Sequence, residues 1–160
     1  MNKQFTNYLR GLSEQEQRTA QEAVCEYLKS LSAKVEKITS SEDVYDMMRQ
    51  TAAYTEEVLS VIFLNQANDV IGTEEIAHGG LNATAADIRV ILREALLRNA
   101  TSLIISHNHP SGNPTPSRQD IMLSESLRNA CKTMELPLLD HVIVSERGYY
   151  SFADERITNK

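Results

Sequence analysis

The chain has 160 residues, the size of one ordinary domain, and its 41% hydrophobic and 24% charged content lets it bury a core and excludes a disordered chain. No stretch approaches the ~20 apolar residues of a membrane-spanning helix, and residues 1–17 lack the apolar centre of a secretory signal, so a cytoplasmic location without membrane contact is expected. The net charge of −6 divides as +1 over residues 1–40, −6 over 41–100 and −1 over 101–160, and no basic footprint for direct nucleic-acid binding is visible.

Residues 1–40 form the expected N-terminal helical extension. Ser13 and Glu16 have the spacing of a capping box, and Ala20, Ala23, Val24, Tyr27, Leu28 and Leu31 follow at helical steps. Arg10, Arg18, Lys29, Lys34 and Lys37 are interleaved with five glutamates, the pattern of a solvated helix face. Cys25 and Cys131 make neither a disulfide framework nor a thiolate metal site, and are read as buried free thiols. Ser41 is the expected cap of a second helix that turns Val44, Met47, Met48 and Ala52 inward. Residues 57–64 are apolar on both alternating sets, as in a central strand covered on both faces. A turn at Asn65–Asp69 leads to a hairpin partner at Val70–His78. Asn82 or Thr84 is expected to cap the next helix, with Ile88, Ile91, Leu92, Ala95, Leu96 and Asn99 on one side. Thr101–Ser106 reads as a buried strand, and His107–Pro116, with three prolines and a glycine, as a loop. A helix follows from Ser117, with Ile121, Ser124, Leu127, Arg128, Cys131 and Met134 on one side. Leu138–Ser145 and Tyr149–Phe152 close the chain as strands. The fold expected for 41–160 is therefore α/β, a mixed sheet packed by helices.

The chemistry-bearing segment is Ser106–Asp120, SHNHPSGNPTPSRQD. His107 and His109 stand at i and i+2, which project to one side of an extended backbone. Asp120 follows eleven residues after His109, in the first turn of the helix begun by Ser117. Two imidazoles and a carboxylate leave a fourth tetrahedral position for water, the catalytic pattern for zinc. Ser117 and Asp120 also have capping spacing, and a first-turn Asp is favoured by the helix dipole. By spacing alone, metal binding and capping beside a surface histidine pair both stand.

Residues 54–153 closely resemble the RadC family of the JAMM/MPN metal-dependent hydrolase superfamily. The motifs that carry the resemblance are EVLSVIFLN from Glu57, GLN from Gly80, HNHPSG from His107, PTPSRQD from Pro114, LDHV from Leu139 and GYYSF from Gly148. They occur in the family's order. The superfamily signature is an upstream Glu, then H-x-H, then ten residues and an Asp, with a Ser three before the Asp. It is met at Glu57, His107, His109, Ser117 and Asp120. The resemblance implies a JAMM/MPN-like three-layer fold and one zinc ion per chain held by His107, His109 and Asp120. It implies that Glu57 acts as general base toward the attacking water, then as acid, and that Ser117 donates to the oxyanion. Glu56 competes with Glu57; the family's spacing of seven residues between this Glu and the Leu of L-N selects Glu57. His141 is read as a structural residue or one behind the ligands, and His78 as surface. The chain departs from the family in having one glycine, Gly11, in its first forty residues, where members usually carry a glycine-rich helical module. It also has TAADIR at 84–89 where a histidine, a proline and an arginine are usual.

The leading expectation is a zinc metallopeptidase or isopeptidase acting on a peptide or protein substrate, with a homodimer or an activating partner left open. The alternative is a DNA-repair accessory or scaffold without proteolytic activity. A nuclease reading of the literal HNH string fails, because nucleases of that name spread those residues over tens of positions. The sequence also lacks the P-C-x-x-C of zinc deaminases and the H-E-x-x-H of zincins.

Overall fold

The computed structural model describes Ser13, Gln15, Glu16, Thr19, residues 37–79 and residues 86–158. The chain divides into two units, Met1–Val35 and Glu36–Lys160. In the first, the Glu16 amide donates to Ser13 Oγ at 3.4 Å and the Ser13 amide returns to Glu16 Oε2 at 2.8 Å, which is the anticipated capping box. The rest of the expected N-terminal helix lies outside the described residues, as do Asn82, Thr84 and the Gly80 motif.

The second unit is built on a five-stranded mixed sheet of order β2-β1-β3-β4-β5. Its strands are β1 (Val58–Leu64), β2 (Val70–His78), β3 (Ser102–Asn108), β4 (Leu138–Ser145) and β5 (Gly148–Ser151). β3 and β4 run parallel, and the other pairs are antiparallel. Every residue of β1 and β3 is buried, as two-sided apolar runs require. β2 lies at an edge and alternates half-buried with exposed residues over most of its length. In the hairpin turn, Asn65 Oδ1 accepts from the amides of Ala67 and Asp69, at 2.8 and 3.0 Å.

The helices of this unit are α1 (Ser41–Met48), α2 (Ile88–Leu97), α3 (Arg118–Thr133) and α4 (Phe152–Thr158). On one sheet face, Leu59, Val61, Phe63, Leu103 and Ile105 pack with Ile91 and Ala95 of α2 and Leu127 and Cys131 of α3. On the other, Ile62, Leu64, Ile104, Val142 and Val144 pack with Ile38 and with Val44 and Met48 of α1. The unit is thus an α/β sandwich of three layers. Each fully buried large aliphatic or aromatic side chain contributes about 1.5–3 kcal/mol. No helix among the described residues is long and apolar enough to cross a membrane.

Several local details differ from expectation. The cap of α1 is Ser40, not Ser41, because Asp43 completes a reciprocal pair with Ser40. That helix ends at Met48 in a 3-10 turn, Arg49–Ala53. The cap of α2 is Asp87, which accepts from the Arg89 amide at 2.9 Å. Leu96 faces outward on α2, and Ile121 and Met134 face outward at the two ends of α3. The buried stripe of α3 is instead Asp120, Ser124, Leu127 and Cys131. β3 runs two residues further than expected, through His107 and Asn108, because both continue its pairing with β4. Phe152 starts α4 rather than ending a strand; Ser151 Oγ accepts from the Asp154 amide at 3.1 Å, stopping β5 and capping the helix.

The Ile38 amide donates to Asn68 O at 3.0 Å, and Lys37 bridges to Asp69. A truncation that tests the independence of the N-terminal extension is therefore made before Lys37. Residues 37–160 are expected to unfold in one cooperative transition by circular dichroism. A molten or insoluble fragment would make the extension part of the core.

Candidate metal centre

The centre forms at the carboxyl end of β3, where the chain leaves the sheet to enter the crossover to the parallel strand β4. Strand alternation turns His107 and His109 to the face covered by α3. The loop after His109 turns at Gly112, whose φ of +75° favours glycine, and brings the first turn of α3 back over the strand end. Among the described residues, His107, His109 and Asp120 form a cluster whose potential ligand atoms all lie within 4.8 Å of one another. The two Nε2 atoms are 3.0 Å apart. Asp120 places Oδ1 3.3 Å from His107 Nε2 and Oδ2 3.5 Å from His109 Nε2. All three residues are buried.

Asp120 also caps its own helix. Its Oδ2 accepts from the Ser117 amide at 2.6 Å, while its amide donates to Ser117 Oγ at 3.2 Å. Capping and facing the histidines, which spacing left as alternatives, are here one arrangement. The cap fixes the carboxylate rotamer at the positive end of α3, with oxygens turned to the imidazoles. Ser117 Oγ accepts the Asp120 amide, its side chain helps to hold the Asp120 carboxyl pKa down, and Ser117 itself is exposed.

The donor set fits a cation. His109 Nδ1 lies 2.7 Å from the Asn113 carbonyl oxygen. A carbonyl only accepts, so Nδ1 carries the proton, and the Nε2 of a neutral His109 turns a lone pair toward His107 and Asp120. Burial pushes His107 below the ordinary imidazole value, against the pull of Asp120. The hydrogen bond to Asp120 raises His109, against its partial burial. Burial alone would raise the Asp120 carboxyl, but the contacts from both histidines outweigh it and hold the group well below the carboxylate range. A buried cluster of two imidazoles and a carboxylate is a donor set that can bind a metal ion.

Glu57 stands one residue before β1 rather than within it, half-buried, with its carbonyl accepting from the Gly79 amide at 2.9 Å. Its negative charge reaches both histidines of the cluster and favours their protonated forms. The Glu56 side chain is 58% exposed and lies 3.7 Å from His78, which is also on the surface. The two carboxylates thus diverge, as neighbours in an extended chain do, and the one whose charge acts at the histidines is Glu57.

Two further residues support the centre. Asn108, fully buried between the two histidines, donates from Nδ2 to the Glu56 carbonyl at 3.0 Å. Its Oδ1 accepts from the Val58 amide at 2.8 Å. These bonds grip the backbone on either side of Glu57. The sequence pattern places Asn108 in a loop, and its partners, about fifty residues upstream, carry no local signal. His141, read from the sequence as a structural residue or one behind the ligands, stands directly behind His107, with its Nε2 2.8 Å from His107 Nδ1. Its neighbour Asp140 turns to the opposite face and accepts from Ser151 Oγ and the Ala153 amide, at 2.6 and 2.9 Å.

Residues 38–157 match the sequence profile of the RadC-like JAB domain. A UPF0758 protein of Flavobacterium johnsoniae is 38% identical over 125 residues, covering 78% of this chain and 55% of the relative. One of Enterococcus faecalis is 38% identical over 141 residues, covering 88% and 61%, and one of Thermotoga maritima 39% over 120 residues, covering 75% and 54%. The chain therefore spans little more than half the length of these relatives, whose names state no activity.

Proposed function

The chain belongs to the family of RadC-like JAB domains, and from that premise we propose that it is a zinc-dependent hydrolase of peptide or isopeptide bonds. The observation that carries this reading is the convergence of His107, His109 and Asp120 on one buried point, with the charge of Glu57 within reach of both imidazoles. His107 and His109 would hold the ion through Nε2, and Asp120 through a carboxylate oxygen. When bound, zinc supplies a Lewis acid that polarises the scissile carbonyl and brings the pKa of water toward about 7.

The chain's own groups then have distinct tasks. Glu57 takes the proton of the attacking water and returns it to the leaving amine. Asn108 holds the Glu57 backbone so that this carboxylate does not drift. Ser117, its Oγ already accepting a helix amide, spends its hydroxyl proton on the developing oxyanion. Asp120 remains anionic because its neighbours hold its carboxyl pKa down.

Cleavage of peptide-linked and lysine-isopeptide-linked reporter substrates tests the proposal. Activity is expected with stoichiometric zinc, is abolished by chelation and returns on zinc addition. Activity that survives complete zinc removal would refute it. The acid limb supplies a further prediction. Zinc needs neutral imidazoles, and the one raised histidine is His109. Zinc affinity should therefore begin to fall as pH drops through a value above His109's unperturbed 6.5, at one decade per pH unit. His107, lowered by burial, adds no second proton until more acidic pH. A slope of two decades per unit from the outset, read by competition titration, would contradict this assignment.

A further inference from the structure

Behind the cluster lies a buried chain of polar groups. His107 Nδ1 is 2.8 Å from His141 Nε2. His141 Nδ1 is hydrogen-bonded to Ser124 Oγ, one helical turn beyond Asp120 on α3. His141 is fully buried and stacks on Phe152, ring centroids 4.7 Å apart and planes within 5°. Ser124 is buried too. The aromatic stack and the two hydrogen bonds leave the His141 ring a single orientation.

Two proton arrangements satisfy these contacts. In one, His107 carries its proton on Nε2, donating toward His109 Nε2 at 3.0 Å; His141 then donates from Nε2 to His107 Nδ1, and the Ser124 hydroxyl donates to His141 Nδ1. In the other, every proton points the opposite way: His107 Nδ1–H donates to His141 Nε2, and His141 Nδ1–H donates to Ser124 Oγ. Only the second leaves a lone pair on His107 Nε2. A serine oxygen serves either arrangement, since a hydroxyl both donates and accepts.

We propose that His141 and Ser124 are positioning residues that set the tautomer of His107, accepting its Nδ1 proton so that Nε2 is presented to the metal. The inference rests on the zinc reading above. Partners behind a ligating histidine are commonly a carboxylate, a backbone carbonyl or water; here the partner is a second imidazole closed by a hydroxyl. His109 obtains the same orientation from a fixed acceptor, the Asn113 carbonyl. The two ligands are therefore unlike: His109 is locked in the metal-ready tautomer, and His107 is held in it by a relay that is itself reversible.

The test is zinc affinity by chelator competition on the full chain, with thermal melts as the control for folding. His141→Gln places an acceptor oxygen near the position of Nε2, whereas His141→Asn reaches only toward Ser124. The Asn variant should bind zinc about 10–100-fold more weakly than wild type, the loss typical for such a partner, and the Gln variant should recover most of that loss. Ser124→Ala should weaken zinc by a smaller factor, because His141 keeps its place but loses the acceptor that selects its tautomer. Long-range proton–nitrogen correlation spectra of the zinc-loaded protein should show protonated Nδ1 on both His107 and His141. Equal zinc affinity in wild type, Asn and Gln variants, or protonated Nε2 on His141 in the zinc-loaded protein, would overturn the relay while leaving the metal site standing. Absence of zinc binding in the folded wild type would overturn both.

Discussion

Glu57→Gln is expected to fold normally, to retain stoichiometric zinc and to lose about 10²–10⁴-fold in hydrolysis, the usual contribution of a positioned general base. Glutamine keeps the size and the hydrogen-bonding capacity of the side chain but takes no proton from water. Zinc should be retained because the cluster that could hold it is His107, His109 and Asp120, without Glu57. Glu56→Gln is the internal control. Its carboxylate points to His78 at the surface, so its replacement should leave the rate within a factor of about two. Ser117→Ala should also keep zinc, with a loss of roughly 10²–10³ in rate for one oxyanion donor and about 1 kcal/mol of stability for the cap. Zinc loss in Glu57→Gln would mean that a ligand has been taken for a base. Full activity in it would remove Glu57 from the mechanism altogether.

Asp120→Ala is expected to abolish zinc binding and, separately, to lower stability. The two effects have different origins in one side chain. The carboxylate would supply the third ligand, and without it two neutral imidazoles would remain to hold the ion. The same carboxylate accepts the Ser117 amide at 2.6 Å, so its removal opens half of the capping box, for about 1 kcal/mol. Asp120→Asn separates them: its amide oxygen still accepts the Ser117 N–H, so the cap is largely kept, while the lost negative charge weakens the metal. Urea denaturation of the zinc-free proteins should rank Ala below Asn, with both well below wild type in zinc affinity by chelator competition. Equal zinc affinity in Asp120→Ala and wild type would place the ion elsewhere.

The elements of the second unit were legible where local pattern and tertiary demand agree. The Asn and Asp turn before β2 and the Ser117 start of α3 appear where the sequence puts them, and the two-sided apolar run of β1 does so to within one residue, Glu57 standing just before it. Boundaries slipped where a side chain serves two masters. Ser41 looked like a cap, but Asp43 selects Ser40. Met134 continues the helical spacing, yet the chain leaves α3 there, with Glu135 at a φ of +51°. The clustering of His107, His109 and Asp120 could be read because H-x-H and a first-turn Asp are local features. Of the supporting residues, Asn108 was not anticipated, and His141 was anticipated only in kind, without its partner. Asn108 works through the backbone at Glu56 and Val58, and His141 through a ring thirty-four positions away; such pairings are set by sheet register and by the parallel crossover, which no window of sequence contains. Capping and facing the histidines are compatible because one carboxylate has two oxygens: Oδ2 accepts the Ser117 amide while Oδ1 lies 3.3 Å from His107 Nε2.

The most direct test of the central claim is metal analysis of the purified chain beside its His107→Ala/His109→Ala double variant. One zinc per chain in the wild type and none in the folded double variant is the predicted result. Stoichiometric zinc that survives in the double variant would contradict it.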